Sequence, residues 1–215
     1  MKRIAIAVVC LFLLSTFAVA AEKPKADAKG ATAAHKDTKF LLNYMKQTRE
    51  DFLKSIKGLS PAQWTYKASP ERWSIAECAE HITLAEEFIR QTVQDKIMKS
   101  PPASEEERAK ANIPDEKVIA MITDRSHKAQ APEPLKPTNK WANAKEIEKE
   151  FKARREVTMQ YAKTTPESEL RAHVAPSPLG APLDGYQFLE LLSAHTKRHT
   201  LQIEELKADP GYPKK

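Results

Sequence analysis

Four stretches of roughly twenty residues carry apolar side chains three and four positions apart, the spacing that lines one face of an α-helix. The first runs from Thr38 to about Lys57, with Phe40, Leu41, Tyr44, Met45, Thr48, Phe52 and Ile56 on one side. Gly58 ends it and Ser60-Pro61 makes a turn. The second opens at Ser74-Ile75-Ala76-Glu77, where Ser74 and Glu77 fit a capping box, and runs to about Met98. Its stripe is Ile75, Cys78, Ile82, Ala85, Ile89, Val93 and Ile97. The third runs from Ala144 to about Lys163 behind Asn143 as cap, with Ile147, Phe151, Val157 (with Thr158) and Tyr161 as its apolar side. The fourth starts at Asp184, where Asp184-Gly185-Tyr186-Gln187 fits another capping box, and runs to about Lys207. Phe188, Leu191, Leu192, Ile203 and Leu206 lie on or near one side, and Pro210-Gly211 stops it.

The punctuation between these stretches agrees. Glycine is scarce, at five, and the fifteen prolines gather between the periodic segments. Ser100 to Thr138 is the least regular part. Pro101-Pro102 breaks the second helix, a charged segment follows, and a short helix is expected over about Asp115 to Ser126. Pro132, Pro134 and Pro137 then space an extended segment. Pro166 to Pro182 reads as a long loop. The expected fold is all-α: a four-helix bundle over residues 38–208, with a helical and Pro-rich insert between the second and third long helices. Residues 209–215 form a tail. The long link permits helices to be neighbours out of sequence order.

The N-terminus reads differently. Lys2 and Arg3 precede an apolar run from Ile4 to Phe17, and Ala18-Val19-Ala20 offers a small-x-small cleavage site. That is the pattern of a secretory signal peptide over residues 1–20. The run is shorter than the ~20 residues of a membrane-spanning helix, so no stable membrane insertion is expected after cleavage. The implied location is the periplasm or outside of a bacterial cell. Residues 21–37 carry no large apolar side chain and read as a disordered linker. Cleavage leaves Cys78 as the one cysteine, so no intramolecular disulfide can form and the core must hold the fold. It also removes Lys2 and Arg3 from 35 basic residues against 29 acids. The mild, scattered balance that remains does not predict nucleic-acid binding.

The strongest chemical signal is His195-Thr196-Lys197-Arg198-His199. Residues four apart on a helix stand on the same face, so both imidazoles can reach one ion, at about 2.0–2.1 Å for zinc. Both lie among core-facing leucines and isoleucines. His81 sits beside the stripe of the second helix, in line with Ala85 and Phe88, and faces the bundle. A buried imidazole needs a partner, and a metal shared with two inward imidazoles is one; a hydrogen bond in the core is another. Three imidazoles suit zinc, nickel, copper or iron. The chain has no H-E-x-x-H, no Glu-x-x-His pairs of the di-iron kind and no C-x-x-C-H.

Taken together, Leu59-Ser60-Pro61, Trp64, Arg72-Trp73-Ser74-Ile75-Ala76-Glu77, His81-Ile82 and His195-Thr196-Lys197-Arg198-His199-Thr200-Leu201-Gln202-Ile203 resemble the DinB/YfiT-like superfamily of metalloenzymes. The resemblance spans about residues 38–208. It implies a four-helix bundle whose second helix supplies one histidine and whose fourth supplies an HxxxH pair, here His81, His195 and His199. It also implies a divalent transition metal, zinc or nickel foremost, and metal-dependent hydrolase or transferase chemistry on a small-molecule substrate that the sequence does not name. Some relatives are thiol-dependent S-transferases or isomerases, but low-molecular-weight thiols are scarce outside the cytoplasm. The other reading is a non-catalytic, stress-related exported bundle whose ion ties two helices together. Bundles of this kind often form homodimers.

Other residues fit blander roles. Cys78, one turn before His81, reads as a small buried apolar residue before it reads as a ligand or nucleophile. Glu77 is explained by its cap before a role as base. Trp64 and Trp73 suit packing at a bundle end, Arg125 and Lys128 a solvated surface, and Arg198 a direction off the metal face. His35, His127, His173, Gln202 and Glu205 receive no role.

Overall fold

The computed structural model describes residues 36–126 and 130–214. The expected signal peptide, nearly all of the expected linker, His35, His127 and Lys128 lie outside the described residues. The described chain is helical apart from one two-stranded antiparallel pair. Its long helices are α1 (Thr38–Ile56), α3 (Ile75–Thr92), α6 (Ala144–Thr164) and α8 (Gly185–Lys207). Between them lie the short helices α2 (Pro61–Trp64), α4 (Glu105–Lys110), α5 (Asp115–Thr123) and α7 (Glu167–Ala172). The pair β1 (Val174–Ala175) and β2 (Leu183–Asp184) leads into α8.

Helix starts follow local chemistry. Reciprocal capping boxes open α2 (Ser60 and Gln63), α3 (Ser74 and Glu77), α4 (Ser104 and Glu107) and α8 (Asp184 and Gln187). Asn143 caps α6 by accepting from the Lys145 and Glu146 amides. Each such cap is worth about 0.5–2 kcal/mol. Gly58, just past the end of α1, has φ +67°, a left-handed conformation that glycine adopts without a Cβ penalty. Gly185 answers a different need, because a Cβ there would stand 2.8 Å from the carbonyl oxygen of Leu170.

Two apolar clusters mark the two ends of the bundle. One joins the N-terminal parts of α1 and α8 (Leu41, Met45, Tyr186, Leu189) to the C-terminal side of α3 and α6 (Val93, Ala162). The other joins Phe52, Ile56, Ile203 and Leu206 to Ile75, Cys78, Ile82, Ile147 and Phe151. Helices α1 and α8 therefore run one way and α3 and α6 the other. Around the bundle the order is α1, α8, α3, α6, so α3 and α6 are parallel neighbours. The chain must then return the length of α3 before α6 can begin. That helix and the π-helical turn after it, Val93–Ile97, rise about 34 Å. The segment after Met98 makes the return, carrying α4, α5 and a 3₁₀ turn over Glu133–Leu135.

Several elements depart from expectation. The charged stretch before α5 is helical as α4, α5 ends at Thr123, and the loop after Pro166 contains α7 and both strands. The inner face of α6 is Ile147, Phe151, Arg155, Thr158 and Ala162, whereas Val157 is 52% exposed. Arg155 takes the inward position four residues beyond Phe151 because all of its donors find acceptors. Its Nε and Nη2 donate to Glu86 on α3 at 2.8 and 2.7 Å. Its Nη1 donates to the Met45 carbonyl at 2.7 Å and Thr48 Oγ1 at 2.9 Å on α1, and Nη2 also to Thr196 Oγ1 at 2.9 Å on α8. One fully buried guanidinium thus touches all four long helices. Phe88, placed in line with His81, is 39% exposed.

The returning segment is tied down at both ends. Asp115 accepts from Arg171 Nη2 at 2.8 Å, from the Lys36 amide at 2.6 Å and from Gln187 at 3.0 Å. Farther on, Glu80 accepts from the Thr138 and Lys140 amides at 2.8 and 3.1 Å and from Thr138 Oγ1 at 3.2 Å. Asn139 between them has φ 61°, a conformation asparagine tolerates, which turns both amides toward one carboxylate. The residues after α8 also dock: Tyr66 donates to Asp209 at 2.5 Å and Gln63 to the Pro213 carbonyl at 2.9 Å.

Candidate metal centre

Helix α3 lies against α8, and that contact brings three histidines together. Among the described residues, His81, His195 and His199 form a group whose candidate ligand atoms all lie within 4.8 Å of one another. Ring centroids stand 4.5–4.8 Å apart on all three sides of the triangle. His81 is buried, while His195 keeps partial exposure.

Hydrogen bonds orient two of the rings. His81 Nδ1 lies 2.8 Å from the Leu135 carbonyl oxygen. A carbonyl only accepts, so Nδ1 carries the proton and Nε2 presents a lone pair. His199 Nδ1 lies 2.9 Å from Gln202 Oε1 and turns its own Nε2 inward in the same way. Such outer-nitrogen contacts are what fix metal-ligating imidazoles. His81 Nε2 and His195 Nε2 are 3.0 Å apart. Nitrogens bound to one tetrahedral zinc at ~2.0–2.1 Å stand about 3.3 Å apart, so this spacing suits a shared ion.

Electrostatics agree with the geometry. Burial depresses the pKa of His81 and drives that of His195 well below its usual value. Burial, reinforced by His81, pushes His199 down to about 3. All three rings are therefore neutral near pH 7, the form that ligates metal. No carboxylate among the described residues joins the group, so the charge of a bound cation would stay on the ion. The donor set fits a divalent transition ion and leaves at least one coordination position without a protein ligand.

Neighbouring residues settle into other roles. Trp73 packs its indole 4.8 Å from the His81 ring and 6.0 Å from that of His199, so it covers the cluster besides joining the apolar end. Trp64 is buried in that end. Cys78 is fully buried, and burial raises its pKa, so it stays a thiol in the core. The Glu77 carboxylate accepts from Ser74 N at 2.7 Å and Lys67 Nζ at 2.8 Å. Burial raises its pKa, but these hydrogen bonds outweigh that and hold it below the usual range, which makes it a poor base. Arg198 turns away and donates to the carbonyls of Ile122 and Asp124. His173 lies buried beside β1, away from the group.

Three contributors went unread in the sequence: the Leu135 carbonyl, Gln202 and Arg125. Gln202 had a signal, since it stands three residues after His199 on one helix face. Arg125 pairs with Glu205 through Nε–Oε1 at 2.5 Å and Nη2–Oε2 at 2.7 Å, so it packs on α8 and is not a solvated side chain. Leu135 acts through its backbone, which carries no residue-type signature. The groove between α3 and α6, lined by Glu87, Arg90, Glu150, Ala153, Arg154 and Val157, shares no residue with the histidines. Ligand chemistry marks the candidate site.

A four-helix bundle with an inward histidine on one helix and an HxxxH pair on its antiparallel neighbour is a bundle whose three imidazoles could hold a metal ion. Residues 44–203 match the family model of the DinB superfamily, and the chain belongs to that superfamily. It is also similar to the "Uncharacterized protein YuaE" of Bacillus subtilis strain 168, with 25% identity over 166 residues, covering 77% of this chain and 96% of that protein. No solved structure matches the chain significantly. No helix among the described residues is long and apolar enough to cross a membrane.

Proposed function

We propose that His81, His195 and His199 together hold one divalent transition-metal ion, zinc or nickel, and that the chain is an exported metal-dependent hydrolase or transferase acting on a small molecule. The observation that carries this reading is the convergence of three neutral imidazoles within 4.8 Å, two of them anchored through Nδ1. Bound there, such an ion supplies Lewis-acid chemistry toward a carbonyl and eases deprotonation of water or a thiol. The protein's part is to hold the Nε2 lone pairs inward, to cover one side with Trp73 and to add no anionic ligand. Export sets hydrolysis ahead of thiol transfer, since cellular thiols are scarce outside the cytoplasm.

Elemental analysis of untagged protein tests the metal. Near-stoichiometric zinc or nickel, as purified or after loading, is expected; only traces under both conditions would sink the reading. Export is tested by sequencing the N-terminus of the protein recovered from a producing bacterium. A periplasmic or secreted form starting at Ala21 is expected, and an uncleaved cytoplasmic form would remove the export part.

The second reading, a helix-tying ion without catalysis, is favoured by one observation: Trp73 packs over two of the three rings. Cobalt-loaded protein separates the two. A visible spectrum that shifts on adding azide or a small thiol reports an open position, and an unchanged spectrum supports the tie.

A further inference from the structure

The returning segment does more than cover the bundle. It supplies the groups that decide how two histidines are protonated. For His81 the group is the Leu135 carbonyl, an acceptor that cannot be reversed. For His199 the acceptor is a side-chain amide, and an amide can turn over to present NH₂ in place of oxygen. Something must hold Gln202 with its oxygen toward the ring.

Arg125 is placed to do so. Its Nη1 lies 3.3 Å from the same Gln202 Oε1 that faces His199 Nδ1 at 2.9 Å. A guanidinium only donates, so the Gln202 atom facing it must be the oxygen. That oxygen then requires a proton on His199 Nδ1, which leaves Nε2 bare. The two bonds from Arg125 to Glu205 hold the guanidinium at that spot on α8.

We propose that Arg125 is a positioning residue that sets the His199 tautomer through Gln202, and so keeps His199 Nε2 available as a ligand. The tautomer chain stands on the hydrogen bonds alone; its consequence for metal affinity rests on the proposed three-histidine centre.

The test compares wild type, R125A, Q202E and the double variant R125A/Q202E. A carboxylate accepts through either oxygen, so Glu at position 202 holds the Nδ1–H form without Arg125. Long-range ¹H–¹⁵N correlation spectra of metal-free protein report the tautomer directly. Wild type should show His199 protonated at Nδ1, and R125A should gain the Nε2–H form. Cobalt titration should show R125A weakened by about 10–100-fold, the usual effect of losing an outer-shell partner. In the Q202E background, removing Arg125 should change neither readout. An R125A protein with an unchanged His199 tautomer would overturn the proposal, and so would a loss of affinity that persists equally in the Q202E background. If the tautomers respond as stated but wild type binds no cobalt, the metal reading fails and the tautomer lock stands.

Discussion

In the proposed centre, single residues divide into those that would bind the ion and those that would orient its ligands. His195 and His199 share one helix face, and His81 meets them from α3. Two remaining imidazoles rarely hold a divalent ion tightly, so His195→Ala and His199→Ala should each abolish tight binding. A chelator-competition titration checks this, and wild-type affinity in either variant would refute the ligand assignment. Glu190 poses a different residue-scale question. It is fully buried on α8, and among the described residues neither carboxylate oxygen has a hydrogen-bond partner. Burial, reinforced by Asp115, raises its pKa to about 9. Between the ordinary value of 4.5 and about 9, the folded state holds a proton that the unfolded state has lost. The stability tied to that proton is fully present below 4.5 and is lost as pH rises through about 9. Glu190→Gln keeps the neutral shape, so its advantage over wild type should grow from pH 5 to pH 9 and reach about 3 kcal/mol near neutrality. Urea unfolding at several pH values measures it, and parallel stability curves would contradict the assignment.

At the scale of elements, register matters more than helix formation. Arg155 bonds to α1, α3 and α8 at once, and Thr196 lies between the two histidines of α8. Truncating it leaves Glu86 charged and alone in the core. Arg155→Ala should therefore cost about 3–5 kcal/mol, while replacing both partners by apolar residues of similar volume, R155M/E86L, should recover most of that. Chemical denaturation of the single and double variants checks the coupling; additive losses would mean that the pair is not a unit. Much of this level was legible. The four long helices follow from three- and four-residue periodicity, and the starts of three of them from Ser74, Asn143 and Asp184. Helix α4 has a capping box at Ser104 and Glu107, but it buries no side chain of its own, so no apolar periodicity marks it as a helix. The inward positions of Arg155 and Glu86 are not legible in the sequence, for a physical reason. A charged residue is expected outside unless its partner is known, and that partner is 69 positions away.

For the whole molecule, an ion shared by α3 and α8 would link the metal to global stability. A ligand that binds only the folded state adds about 2.7 kcal/mol at a concentration 100 times its dissociation constant. Zinc or nickel should thus raise the midpoint of thermal unfolding of wild type, and His81→Ala should remove that rise. An equal rise in the variant would place the ion elsewhere. The parallel pairing of α3 and α6 gives the returning segment its task, because the chain must travel back along the bundle before α6 starts. On that path it supplies Leu135 to His81, Arg125 to Gln202, and the amides of Thr138 and Lys140 to Glu80. The sequence by itself determined the four long helices, the caps that start three of them and the inward direction of three histidines, since those depend on neighbours within a turn or two. Only the tertiary structure decided the order of helices around the bundle, the buried guanidinium that joins them, and the approach of Leu135 to His81 and of Arg125 to Gln202. Those contacts join residues from 41 to 110 positions apart, at distances where side-chain periodicity leaves no trace.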